Sequence, residues 1–481
     1  MSHGRVRRTK SRPRLENPLI QACLGMLLLP QCATSHPTAG RPGRAVIITF
    51  ALAFALAFAL TPLATAAEPY EREPINYWTT PLTDPVTRLK QNLESGDLQL
   101  DATTELSWLR GVLAALRVPE SSQVLVFSKT SLQRSLISPS SPRALYFNDE
   151  VYVGWVPGGA IELTAMDPQV GAVFYLLHRP PPPDPLAAAQ TPPRHPSVIR
   201  DQECLSCHAG PMTGNIPGLM IRSVYPDAQG NPIFTAGTKL TGHHSPLEQR
   251  WGGWYVTGHH DPMRHLGNAI ATETPQGANL NRDAGANLTS LARHFDVSRY
   301  LLDQSDLVAL MVLEHQINLH TLMTQAHYAV VSALHRDEAM RRELPEASTG
   351  DSTRRIITHE ATRLVKNMLF ADETPLASEG VSGSPTFAAD FTKTAPRDHA
   401  GQSLKTLHLG SRLFKNRCSY LVYSPSFDAL PHLLHQEIAR LLHDALVRHD
   451  PHQLANHLRP EEKSRLVQIL RETKPSLTRE W

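Results

Sequence analysis

Ala144-Leu145-Tyr146-Phe147-Asn148-Asp149-Glu150-Val151-Tyr152-Val153-Gly154-Trp155 holds two short runs rich in branched and aromatic side chains, and these runs decide the fold class. Such side chains pack well on a pleated surface, so Ala144–Phe147 and Val151–Trp155 read as strands. Toward the N-terminus Val124-Leu125-Val126-Phe127 reads the same way. Toward the C-terminus Ile161–Leu163 and Ala172–Leu177 continue the set, with Pro157-Gly158-Gly159 as a hairpin turn. The expectation is an antiparallel sheet.

On either side of the sheet the apolar period changes. Within residues 86–117, Leu106, Leu109, Val112, Leu113 and Leu116 fall at three- and four-residue steps, so one or two helices should end before Pro119. Residues 305–335, 352–370, 430–447 and 460–472 carry the same period. Between sheet and helices, Met220–Val224 and Ile233–Ala236 flank the turn-forming Asp227–Asn231, and Trp251–Gly258 reads as a further strand. The expected fold class is α+β, predominantly helical, with a small antiparallel sheet in the N-terminal half and a helical C-terminal half. The expected regions are 1–67 (basic leader and signal peptide), 68–179 (N-terminal α+β), 180–197 (Pro-rich linker), 198–302 (around a mid-chain cysteine motif) and 303–481 (helical). The last of these contains a Ser/Gly/Pro/Thr-rich loop at 371–403.

Arg41 and Arg44 precede an apolar run at 45–60, and Ala64-Thr65-Ala66 follows, the three parts of a secretory signal peptide. The run is short of the ~20 apolar residues of a spanning helix; the alternative is an uncleaved N-terminal membrane anchor. Residues 1–67 hold eight Lys/Arg and one acid, so of 47 basic and 45 acidic residues 39 and 44 remain beyond them. A mildly acidic exported chain is a poor nucleic-acid binder. Five cysteines, two of them in the leader, exclude a disulfide scaffold.

Cys204-Leu205-Ser206-Cys207-His208 is a C-x-x-C-H motif, the haem-attachment signature. Two thiols at this spacing can each add to one vinyl group of a haem, and the adjacent imidazole then lies under the iron. One covalent haem c is therefore expected, bound by Cys204 and Cys207, with His208 as proximal axial ligand. Two other readings use the same residues. The thiols could form a disulfide, or a Cys3His zinc site could recruit Cys418, which is expected as a buried thiol on a short strand.

For the second axial position the chain has 24 histidines to choose from. His315 lies inside the apolar stripe of helix 305–335, where an imidazole is hydrogen-bonded or metal-bound; His320 and His327 occupy a neighbouring stripe. Met263 and His265 sit in the loop His259-His260-Asp261-Pro262-Met263-Arg264-His265. His243 and His244 read as surface residues in a turn before Pro246. Arg250, with Arg222 and Arg264 as alternatives, could fork onto a haem propionate. Trp251, Trp254 and Tyr255 are candidates for the wall of the haem pocket or for ordinary core.

In the motif alone the chain resembles c-type cytochromes. It departs from the small globular ones, which place the motif near the start of a short domain with a Met late in it. Across Leu145–Trp155, Trp251–Gly258, Leu313-Glu314-His315-Gln316 and Ser419-Tyr420-Leu421-Val422-Tyr423-Ser424 it is similar to an uncharacterised bacterial family of secreted single-C-x-x-C-H proteins. That similarity implies no established activity. The expected function is single-electron transfer by a periplasmic or secreted mono-haem cytochrome with a redox partner protein. The first alternative is a haem enzyme or sensor with an open iron site, motivated by a chain longer than one haem needs. The second is a secreted binding protein without haem.

Overall fold

The branched and aromatic runs form the strands β1 Val124–Val126, β2 Arg143–Phe147, β3 Val151–Trp155, β4 Ile161–Asp167 and β5 Gly171–Leu177, in a computed structural model that describes residues 68–180, 196–344, 350–479 and 481. The expected leader and signal peptide and most of the Pro-rich linker lie outside the described residues. β6 Val198–Arg200 and a two-residue β9 Trp254–Tyr255 complete a seven-stranded sheet in the order β6-β5-β4-β3-β2-β1-β9. Every neighbouring pair is antiparallel. Between β3 and β4 the turn passes through Gly158 at φ +85°, a backbone conformation that glycine adopts without steric cost.

Successive strand residues point to opposite faces, so register sorts the side chains. Tyr146, Val153, Leu163, Tyr175 and Arg200 pair in one row on one face. On the opposite face run two rows, Leu145–Gly154–Glu162–Leu176–Ile199 and Phe147–Tyr152–Thr164–Phe174. The first face meets helix Pro85–Ser95 through Tyr175, whose hydroxyl donates to Asp84 Oδ2 at 2.6 Å. Asp84 also caps that helix, accepting from the backbone amides of Val86 and Thr87. The second face lies under helix Leu307–Glu343, where Tyr328 donates to the Val170 carbonyl. Cover on both sides buries all five residues of β3, which explains its run without polar alternation.

Helix Leu307–Glu343 outruns the expected 305–335 by eight residues. Its last two turns are polar and exposed, tied by the i,i+4 pair Glu338–Arg342, so an apolar stripe marks only the packed part. Helices Asp351–Met368, His432–Leu446 and Pro460–Thr473 lie where the period placed them and pack on one another or on the long helix. The architecture is α+β, with the sheet in the N-terminal half and helices in the C-terminal half. Among the described residues no helix is long and apolar enough to cross a membrane.

Several local expectations need correction. The 371–403 loop contains helix Pro385–Lys393; Pro385 starts it, and Phe387 and Phe391 stack at 5.7 Å to bury its inner face. Residues 234–236 form a 3-10 turn, and the partner of Arg222–Val224 is β8 Thr238–Leu240, with Arg222–Val224 as β7. Of the stretch Trp251–Gly258, Trp254 and Tyr255 alone join the sheet, because Trp251 and Gly253 adopt positive φ and turn the chain. Cys418 is a buried free thiol, yet it precedes the 3-10 turn Tyr420–Tyr423 and belongs to no strand.

Candidate functional site

Edge strand β6 delivers the chain to the motif. The Asp201 amide makes one more ladder bond to the Phe174 carbonyl, and residues Leu205–His208 then form a single helical turn. Cys207 and His208 both donate their amides back to the Cys204 carbonyl, and Leu205 is buried beneath the turn. The thiols therefore stand three residues apart on one short turn. Both are free, Cys204 half-buried and Cys207 exposed. Burial pushes the Cys204 thiol up to about 12, helped by Asp201 and then Glu162, so it is a neutral thiol at neutral pH.

A loop behind the turn holds His208 in place. The Thr213 hydroxyl is buried within reach of the carbonyls of His208, Gly210 and Ile216, and the Gly218 amide donates to the His208 carbonyl at 2.8 Å. His208 Nδ1 lies 2.9 Å from the Gly218 carbonyl oxygen. A carbonyl only accepts, so Nδ1 carries the proton and the Nε2 lone pair is left for a metal. Burial lowers the imidazole pKa, partly offset by the Gly218 bond, which keeps the ring neutral as a ligand must be. Its other face packs on Phe174, ring centroids 4.7 Å apart.

The loop is clasped to the long helix at two residues, Gln325, whose Nε2 donates to the Thr213 carbonyl at 2.9 Å, and Thr321. Thr321 Oγ1 accepts from the Leu219 amide at 3.0 Å and donates to the Leu219 carbonyl at 2.7 Å. Gly218 permits this approach, since a Cβ there would stand 3.1 Å from Thr321 Cγ2.

One charged pair beside the motif went unread in the sequence. Arg143 of β2 and Glu162 of β4 form an ion pair on the sheet face that carries Phe174, with the guanidinium lying over Gly154. Both act electrostatically on Cys204 and His208. Arg143 Nε is buried without a hydrogen-bond partner. The one signal available was Glu162 itself, a carboxylate between the apolar Ile161 and Leu163.

These residues fit a covalent haem. The thiols are reduced and share one turn, and the adjacent imidazole presents an unprotonated nitrogen. The apolar surface around them is incompletely covered, with Ile199 on β6 51% exposed and Met212 38%. Cys204, Cys207 and His208 would hold the group, with Phe174 supporting the imidazole.

Of the expected distal ligands, His315 and Met263 are engaged in other hydrogen bonds. His315 is fully buried and uses both nitrogens, Nε2 with Ser419 Oγ at 2.8 Å and Nδ1 with His243 Nδ1 at 3.2 Å, and it stacks on Phe370. His243 is thus a buried partner and not a surface residue. Met263 Sδ accepts from the Ala377 amide at 3.2 Å. His265 is buried beside His260 and Trp251, and neither ring nitrogen has a partner. His320 shares Tyr152 Oη at 2.7 Å through Nδ1, while its Nε2 is buried and unpartnered. Tyr152 and Phe174 are two strands apart in one row, roughly 10 Å. Among the described residues no hydrogen bond or ring contact joins His315, His265, Met263 or His320 to His208.

Arg250, expected toward a propionate, is engaged with protein groups. Its guanidinium is buried, donating to Glu314 Oε2 at 2.9 Å, to the His243 carbonyl at 3.0 Å and to the Ser245 carbonyl at 2.8 Å. Trp251, Trp254 and Tyr255 are buried in the core. No group of three or more His, Cys, Asp or Glu side chains among the described residues is placed to hold a metal ion, so a Cys3His zinc site with Cys418 is not assembled. The chain matches no protein-family model, no curated protein and no solved structure.

Proposed function

We propose that this chain is an exported mono-haem c-type cytochrome that passes single electrons to a redox partner protein from the periplasm or the cell exterior. The observation that carries the reading is the bond from His208 Nδ1 to the Gly218 carbonyl, which aims a fixed, neutral imidazole from the same turn that bears two free thiols. When bound, the haem supplies a one-electron iron couple. Cys204 and Cys207 tether the group, and Gly218 and Thr321 hold the ligating ring in its orientation. The Arg143–Glu162 pair sets the local field.

Haem-stained denaturing electrophoresis tests this, using protein made in a periplasm equipped for cytochrome c maturation beside a Cys204→Ala/Cys207→Ala variant. Stain that survives denaturation in the parent and vanishes in the variant is the expected result. An unstained parent overturns the reading.

A second reading is favoured by the engagement of His315 and Met263 with other partners, which leaves neither of these two free as a sixth ligand. In it the iron site is open, as in a haem enzyme or sensor. A large carbon monoxide shift of the reduced protein selects this reading, and an unmoved spectrum selects the closed electron carrier.

A further inference from the structure

A cleft of about 920 Å³ opens between helices Pro85–Ser95 and Glu105–Ala115 on one side and helix Pro385–Lys393 on the other, with the β2–β3 turn at its base. None of its lining belongs to the 198–219 segment that carries the haem motif. Phe147, Phe387 and Phe391 line its apolar part, joined by Leu89 and Leu116.

The charges of the lining are not equivalent. Asp149 is occupied, with both carboxylate oxygens on Lys405 Nζ at 2.7 and 2.6 Å. Lys405 is itself buried, its ammonium 4.7 Å from the Phe391 ring centroid and 4.9 Å from that of Tyr420. Asp390 accepts from the Ser121 hydroxyl at 2.6 Å. Burial raises the pKa of Glu150, with Asp149 adding to the effect, so its charged form is disfavoured. Of the exposed cations, Arg88 donates to the Thr83 carbonyl, whereas two others are in the opposite state. Arg117 and Lys393 are exposed, and neither head group has a hydrogen bond or ion pair among the described residues. Arg117 is also held at φ +55°, and the Asn148 side chain donates to its carbonyl and to that of Leu116. A rim with two unpartnered cations over an aromatic floor, beside acids that are paired or, at Glu150, less readily ionised, favours an anion with an apolar body.

We propose that this cleft is a binding site for a small amphipathic monocarboxylate, its carboxylate on Arg117 and Lys393 and its apolar body against Phe387 and Phe391. The site goes beyond haem attachment and does not depend on it. Isothermal calorimetry of the full chain as isolated tests it, with 2-naphthoate as probe and 2-naphthamide and inorganic phosphate as controls. We expect one naphthoate per chain, with the neutral amide and the phosphate each at least tenfold weaker. The rim variant Arg117→Gln/Lys393→Gln changes only exposed side chains and should keep the parent's melting temperature. It should weaken naphthoate about tenfold, the sum of two exposed charge contacts. No naphthoate heat, equal binding by the amide or by phosphate, or an unchanged affinity in the rim variant each overturns the proposal.

Discussion

Replacing Thr321 by Val removes one of the two clasps that hold the His208 loop to the long helix, the other being Gln325 on the Thr213 carbonyl. Val keeps the shape of Thr, so no cavity forms and the loss is one of hydrogen bonding alone. In the parent a single hydroxyl serves both polar groups of Leu219, accepting from its amide and donating to its carbonyl, and all three groups are buried. Leaving a buried donor or acceptor without a partner costs about 1–3 kcal/mol each. The two together, less the benefit of an added methyl, give an expected destabilisation of about 1–5 kcal/mol. Urea unfolding of the full chain at pH 7 measures it. Thr321→Ser keeps the hydroxyl and should recover most of the loss.

The same variant reaches His208, the proposed iron ligand. A proton donated from Nδ1 to a carbonyl makes the imidazole more basic and favours the ferric state. Loosening Gly218 and Leu219 weakens that bond, so in haem-loaded protein the midpoint potential should rise. A differential loss of about 0.5–1 kcal/mol corresponds to about 20–40 mV for one electron. A destabilisation below about 0.5 kcal/mol, or an identical potential in the Val and Ser variants, refutes the argument.

Two other perturbations have signs set by the structure. Replacing Arg143 with Gln removes a cation beside Cys204 and His208 and should lower the midpoint potential, whereas Glu162→Gln should raise it; shifts in the same direction in a redox titration would exclude electrostatic control by this pair. Acid should weaken the fold through buried imidazoles. Burial lowers His265 and His320 to about 3 and His327 to about 4, against about 6.5 in the unfolded chain. Between those values the unfolded state binds protons that the folded state does not, so stability is present above pH 6.5 and is lost as pH falls toward 4. At pH 5.5 each contributes a loss of about 1.4 kcal/mol, or about 4 kcal/mol for the three. Unfolding free energies that agree within about 1 kcal/mol at pH 7.5 and 5.5 would contradict this.

The elements of this fold were legible where one physical signal dominated. β3 showed as an unbroken apolar run because both of its faces are covered. The four long C-terminal helices showed through their apolar stripes, and the long one was cut short where its stripe ended in solvent. Helix Pro385–Lys393 was missed because loop-forming residues surround it, and its own signal is only a starting proline and two phenylalanines four residues apart. At the candidate site, Arg143 reads as one more strand-end charge until the register places it across the sheet from Glu162. Arg250 and His315 share a similar fate. Side chains suited to a propionate or an iron were indistinguishable in sequence from side chains suited to a buried carboxylate, a serine and a second imidazole.

What the sequence determined by itself is local chemistry. Cys204, Cys207 and His208 lie within five residues, so a single helical turn is enough to put two thiols and an imidazole side by side. Tertiary structure decided the surroundings of that turn. The Leu219–Thr321 clasp joins residues 102 apart, Arg250 finds Glu314 across 64, and the cleft draws its walls from helical, strand and loop segments between Pro85 and Lys405. Such partners are chosen by how the sheet and helices pack, because a buried polar group takes whichever complementary group the packing brings within hydrogen-bond reach.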